Sequence, residues 1–105
     1  MSGIERIEKI CQRVPDFKNL YNARVIHYIM KDHILNVYNQ FEKYFEEDFI
    51  KSDVEIFKLF LLIHDIGKPI AYNKGEREKQ YDETIELIIK YKADLDLSDE
   101  KSDII

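Results

Sequence analysis

The chain has 105 residues, 45% of them hydrophobic and 35% charged, with a net charge of −5. That is enough for one domain, residues 1–105, with a modest core and a folded, soluble composition. The acidic balance argues against a duplex nucleic-acid binder, whose affinity rests on Lys and Arg at phosphates. The single Cys11 rules out an internal disulfide or a cysteine-rich zinc knuckle.

No apolar run approaches the roughly 18 residues of a membrane span, and no basic-then-apolar leader is visible. A cytoplasmic protein with no membrane partner is expected. Three glycines and two prolines leave little room for loops and favour helices.

Ser2 followed by Glu5 has the form of a capping box. Ile4, Ile7, Ile10, Cys11 and Val14 then recur at helical spacing, predicting a helix that Pro15 ends. Cys11 reads as a small core residue there, not a nucleophile. Asp16 is expected to cap a second helical stretch from Phe17, with a break near Asn22. From Ile26 to Phe45 the apolar set is Ile26, Ile29, Met30, Ile34, Val37, Tyr38, Phe41, Tyr44 and Phe45, which predicts one sustained helix. His33 projects from its buried stripe. His27 lies one position off that stripe and reads as structural.

Glu46-Glu47-Asp48 is an acidic turn without the alternating ligands and glycine of a calcium loop. Ser52 or Asp53 is expected to cap the next helix. From Phe57 to Ile63 that helix is apolar except at Lys58, so it belongs inside the domain. It runs into His64-Asp65-Ile66-Gly67-Lys68-Pro69, where Gly67 reads as the helix stop and Pro69 as a block to resumption. Residues 70–80 read as a loop. A further helix runs to about Lys92, with Tyr81, Ile85, Ile88 and Ile89 as its apolar stripe. Asp94 to Asp96 reads as a turn. Ser98 then caps a helix that reaches the last residue, Ile105, just as its apolar face begins. The expected architecture is all-α, a bundle of about five helices lacking its C-terminal helix or helices.

His64 and Asp65 diverge by about 100° on a regular helix, but at a helix end they can converge on one ion. Imidazole and carboxylate together suit zinc, iron, manganese or magnesium without choosing among them. His33, on an antiparallel neighbouring helix, offers a third ligand at similar height. Three ligands from rigid helices leave positions open for water, as a hydrolytic metal needs. The structural alternative for His33, His64 and Asp65 is a buried hydrogen-bonded cluster at a helix end.

His33 followed by Ile34-Leu35-Asn36-Val37, and then Phe60-Leu61-Leu62-Ile63 leading into His64-Asp65-Ile66-Gly67-Lys68-Pro69, resembles the first two motifs of the HD superfamily of metal-dependent phosphohydrolases. The resemblance covers roughly residues 20–105. It implies an all-α HD-type bundle and a divalent metal ion (Mn, Mg, Fe, Zn or Ni) held by His33, His64 and Asp65. It also implies catalytic roles for Asp65 and Lys68, with Lys68 facing the phosphate of a small-molecule substrate such as a nucleotide.

The family set closes with a later Asp. Here only Asp103 is available, and it comes early. Tyr81 stands where many relatives carry a histidine. A catalytically degenerate or truncated HD domain, serving as a binding or assembly module, is therefore the competing reading. A plain helical bundle with an incidental motif is a third, and His33 more than ~8 Å from Asp65 would mark it. A missing helix would leave an apolar face exposed, so a homo-oligomer burying the region of Ile104 and Ile105 is expected.

Overall fold

A computed structural model describes residues 2–95. The expected turn at Asp96, the Ser98 helix, Asp103 and the face near Ile104 and Ile105 lie outside the described residues.

The fold is all-α apart from one two-stranded hairpin. Helix α1 spans Gly3–Arg13 and begins with the expected capping box: the Glu5 amide donates to Ser2 Oγ, and the Glu5 carboxylate accepts from the Ser2 amide. Ile7 and Ile10 are buried on its inner face. A short helix α2, Phe17–Tyr21, follows. Asp16 makes no side-chain cap on it. Its carboxylate instead accepts from the Tyr91 hydroxyl at 2.5 Å.

The single helix expected from Ile26 to Phe45 does not form. Residues 24–29 form an antiparallel hairpin, β1 Arg24–Val25 and β2 Tyr28–Ile29, in which Arg24 pairs with Ile29 and Val25 with Tyr28. The physical reason is local: Val25, Ile26, Tyr28 and Ile29 are β-branched or aromatic, types that suit extended backbone. The two-residue turn is Ile26-His27, and Ile26 adopts φ +53°. Helix α3 therefore starts at Met30 and runs to Tyr44.

A 3₁₀ turn at Glu46–Asp48 reverses the chain. Helix α4, Lys51–Ile63, starts two or three residues earlier than a cap at Ser52 or Asp53 would place it, with Ile50 at its N-cap and no side-chain cap. It packs along α3. Lys58, the one charge in its apolar run, is only 6% exposed. Its ammonium pairs with Glu42 of α3, at 3.2 Å, and with Glu46. Tyr21 is also buried, and its hydroxyl donates to the Leu62 carbonyl at 2.7 Å, tying α2 to the end of α4. The core gathers Ile7, Ile10 and Val14, Phe17 and Tyr21, Met30, Ile34 and Tyr38, and Leu62, Ile63 and Ile66.

Pro69 starts a helix here instead of blocking one. Helix α5 spans Lys68–Asn73 with the proline in its first turn, where the missing N–H has no intrahelical partner to lose. The stretch read as a loop is thus largely structured. After α5 the chain turns at Gly75 (φ +74°) and makes a 3₁₀ turn at Arg77–Lys79. Helix α6, Gln80–Lys90, then packs against α5.

The buried face of α6 differs from the expected stripe. Thr84 and Ile88 are buried, while Tyr81, Ile85 and Ile89 are exposed. Among the described residues, no helix is long and apolar enough to cross a membrane.

Candidate functional site

The site forms where α3, the end of α4 and the start of α5 meet. His64 is the C-cap of α4, and its amide still donates to the Phe60 carbonyl at 2.8 Å. The chain then turns tightly. The Ile66 amide reaches the Ile63 carbonyl, and the Lys68 amide reaches the Asp65 carbonyl. His64 keeps helical backbone geometry, and the turn after it brings the Asp65 carboxylate beside both His64 and His33 of α3.

His64 Nε2 lies 3.2 Å from Asp65 Oδ2, and His33 Nε2 lies 3.8 Å from the same oxygen. His33 is thus well inside the separation that would have made the motif incidental. All three side chains are part-buried.

The tautomer of His64 follows from its other nitrogen. Nδ1 sits 2.9 Å from the Leu61 carbonyl. A carbonyl only accepts, so Nδ1 carries a proton and donates it. Nε2 and the carboxylate oxygen, both acceptors when the ring is neutral, therefore face each other, and a positive charge between them resolves the conflict. Without an ion, a proton does this. Burial disfavours the His64 imidazolium, but the hydrogen bond and charge of Asp65 and the Leu61 and Phe60 carbonyls outweigh it and raise the pKa. The hydrogen bond from His64 lowers the pKa of Asp65 against the opposing effect of burial, helped by the charges of His64, Lys68 and His33.

A divalent ion is the other way to supply that charge. Two donors, each about 2.1 Å from one ion at a tetrahedral angle, lie about 3.4 Å apart, and the 3.2 and 3.8 Å separations bracket that value. Nδ1–H donation to a backbone carbonyl is also the outer-shell bond that metal-binding histidines make. The donor chemistry fits a metal. Among the described residues, however, no group of three or more His, Cys, Asp or Glu side chains is placed so that it could hold a metal ion.

Each imidazole is held by an aromatic ring. His64 packs on Phe60 with centroids 5.2 Å apart, and His33 stacks on Tyr28 at 4.7 Å with a 30° tilt. His27, in the hairpin turn, is exposed and takes no part.

Lys68, one turn beyond Asp65, places its ammonium 5.2 Å from the Tyr28 ring centroid and 5.5 Å from that of Tyr72. Burial works against this charge. The Tyr28 hydroxyl, Asp65 and Tyr72 outweigh it, and the pKa rises. Tyr28 therefore touches both a candidate ligand and the candidate phosphate contact, and the helical reading of residues 26–45 concealed it. Its one sequence signal was an aromatic residue in a β-branched run.

A cleft of about 920 Å³ opens on His64 and Asp65. Phe60 of α4 and Tyr81, Ile85 and Ile89 of α6 also line it. Tyr81 is thus in the cleft, yet 65% exposed.

No family model, curated protein or solved structure matches the chain.

Proposed function

We propose that this chain carries a metal-dependent phosphohydrolase site of the HD type, acting on a nucleotide or other phosphoester. The observation that supports this reading most is the convergence of two imidazole Nε2 atoms, from α3 and from the end of α4, on one carboxylate oxygen. His33, His64 and Asp65 would hold the ion, which when bound would polarise the phosphoryl group and activate water.

The chain's own residues do the rest. The Leu61 carbonyl fixes the His64 tautomer. Tyr28 and Phe60 hold the two rings in place. Lys68 presents a fixed positive charge beside Asp65, suited to the charge that develops on phosphate oxygens. The cleft beside His64 and Asp65 gives a small molecule access.

The test is metal analysis of the purified chain beside the His64→Ala/Asp65→Ala variant, with a nucleotide and phosphodiester panel run on both. Metal and turnover in the parent, and neither in the variant, are the expected result. Equal metal content in the two would defeat the ligand assignment. The second reading, a non-catalytic HD-type binding module, is favoured by Tyr81, an exposed phenol where the family resemblance calls for a histidine. Bound metal without turnover selects it.

A further inference from the structure

The cleft that opens on His64 and Asp65 has few free hydrogen-bonding groups next to that pair. Thr84 ties the middle of α6 to the turn that carries them, because its Oγ1 accepts from the Gly67 amide at 2.9 Å. The same hydroxyl donates its proton to the Gln80 carbonyl, so Thr84 lines the cleft without a free donor. On α4, Phe60 lines the cleft one turn before His64, with the two ring centroids 5.2 Å apart.

Past Thr84 the lining from α6 is hydrocarbon: Ile85, Ile88 and Ile89. Ile88 is buried, but Ile85 and Ile89, four residues apart on one helix face, are exposed, so the core does not account for them. The polar lining residues near this stretch come from either side of it, Glu78 and Gln80 before and Lys92 after. Exposed apolar side chains grouped in a concave site mark a place where an apolar group binds. The cleft volume, about 920 Å³, lies within the range of small-molecule sites. A sugar hydroxyl set against the isoleucines would give up its bonds to water and gain none in return. A hydrocarbon group would lose nothing there and would shed its own exposed surface.

We propose that this cleft holds the alcohol part of the phosphoester, and that this part is a hydrocarbon group and not a sugar. Phe60, Ile85, Ile88 and Ile89 are then the residues that set specificity. The proposal rests on the phosphohydrolase reading for the placing of the phosphate at His64 and Asp65, and it narrows that reading: nucleotides, whose phosphate is carried on ribose, become poor substrates. In the hydrolysis, water adds to phosphorus, the bond from phosphorus to the alcohol oxygen breaks, and the alcohol leaves with a proton from that water. The free alcohol keeps every contact with the cleft, so it binds without phosphate or metal.

The experiment is a proton NMR titration of the full chain in chelator with naphthol, octanol and ribose, following the His64 ring signals against those of the exposed His27. Naphthol or octanol should move the His64 signals and bind at least tenfold more tightly than ribose, a difference of about 1.4 kcal/mol or more. Tighter binding of naphthol marks an aromatic group, and tighter binding of octanol an aliphatic one. The double variant Ile85→Ser/Ile89→Ser, at two exposed positions, should weaken the better probe at least tenfold. Ile50→Ser, exposed but outside the cleft, should leave it unchanged. Circular dichroism on each variant separates lost binding from lost folding. Ribose binding as tightly as both hydrocarbon probes overturns the proposal, as does binding that leaves the His64 signals in place. Unchanged affinity in the double variant places the probe elsewhere and also overturns it. Metal content and turnover test the phosphohydrolase reading separately: its failure leaves an alcohol-binding cleft, whereas failure of both hydrocarbon probes to bind sinks this proposal alone.

Discussion

Gly67 donates its amide proton to Thr84 Oγ1 at 2.9 Å, and the two backbones approach so closely that a Cβ on Gly67 would lie 2.2 Å from the Thr84 nitrogen. Thr84 Oγ1 in turn donates to the Gln80 carbonyl within α6. This contact docks α6 on the turn that carries His64 and Asp65. Gly67 has φ −83°, which any residue can adopt. It is glycine because of what lies beside it.

Gly67→Ala should therefore destabilise the fold by about 3 kcal/mol or more, beyond ordinary overpacking, because the obstacle is backbone. Thr84→Val should cost about 1–2 kcal/mol by leaving the Gly67 amide unpaired. Urea unfolding measures both, and a Gly67→Ala chain as stable as the parent would refute the close approach.

A gain is expected at Ile26. A β-branched residue at φ +53° is strained by about 1–2 kcal/mol. Ile26 is also 48% exposed, so little packing offsets the strain. Ile26→Gly should recover about 1 kcal/mol and raise the unfolding midpoint. A lower midpoint would show that the side chain matters more than the backbone.

Lys58 makes a prediction of opposite sign. Truncation by Lys58→Ala leaves Glu42 and Glu46 facing each other and empties the space of a buried stem. A cost of about 2–3 kcal/mol is expected, discounted because both carboxylates are partly solvated. Lys58→Met keeps the stem and should cost clearly less. Equal losses in the two variants would mean that the ion pairs, not the packing, dominate.

The pH dependence of the metal-free chain has a defined sign. The raised His64 pKa contributes stability that is present below about pH 6.5 and is lost as pH rises through the raised value. The lowered Asp65 pKa contributes stability that is present above about pH 3.8 and is lost as pH falls through the lowered value. The pair thus contributes most between those limits. His64→Gln should lose more stability, relative to the parent, at about pH 5.5 than at about pH 8.5 in chelator. A pH-independent difference would contradict the His64–Asp65 bond.

Much of this was legible in the sequence, because burial and helix capping act locally. The Ser2–Glu5 box, the inward Ile7 and Ile10, the burial of Leu61, Leu62 and Ile63 at the end of α4 and the meeting of His33 with Asp65 all followed from residue type and spacing. The parts that did not follow were local signals open to two readings or depended on tertiary contact. Ile26 and Ile29 matched helical spacing, yet their β-branched neighbours formed a hairpin. Pro69 looked like a terminator, although its place in a first turn suits a beginning. On α6 the largest apolar side chains misled: the helix buries the face that holds Thr84, because that hydroxyl meets the Gly67 amide. A small polar residue inside an apolar helix was the signal to weigh.

The aromatic neighbours of the imidazoles have a spectroscopic consequence. His33 lies against Tyr28, His64 lies against Phe60, and His27 is exposed in the hairpin turn. Ring currents shift protons held over or beside an aromatic face, so the three histidines should give three resolved sets of ring-proton resonances in an unlabelled sample. A divalent ion at the proposed centre would move the His33 and His64 signals and leave the His27 signals in place as an internal reference.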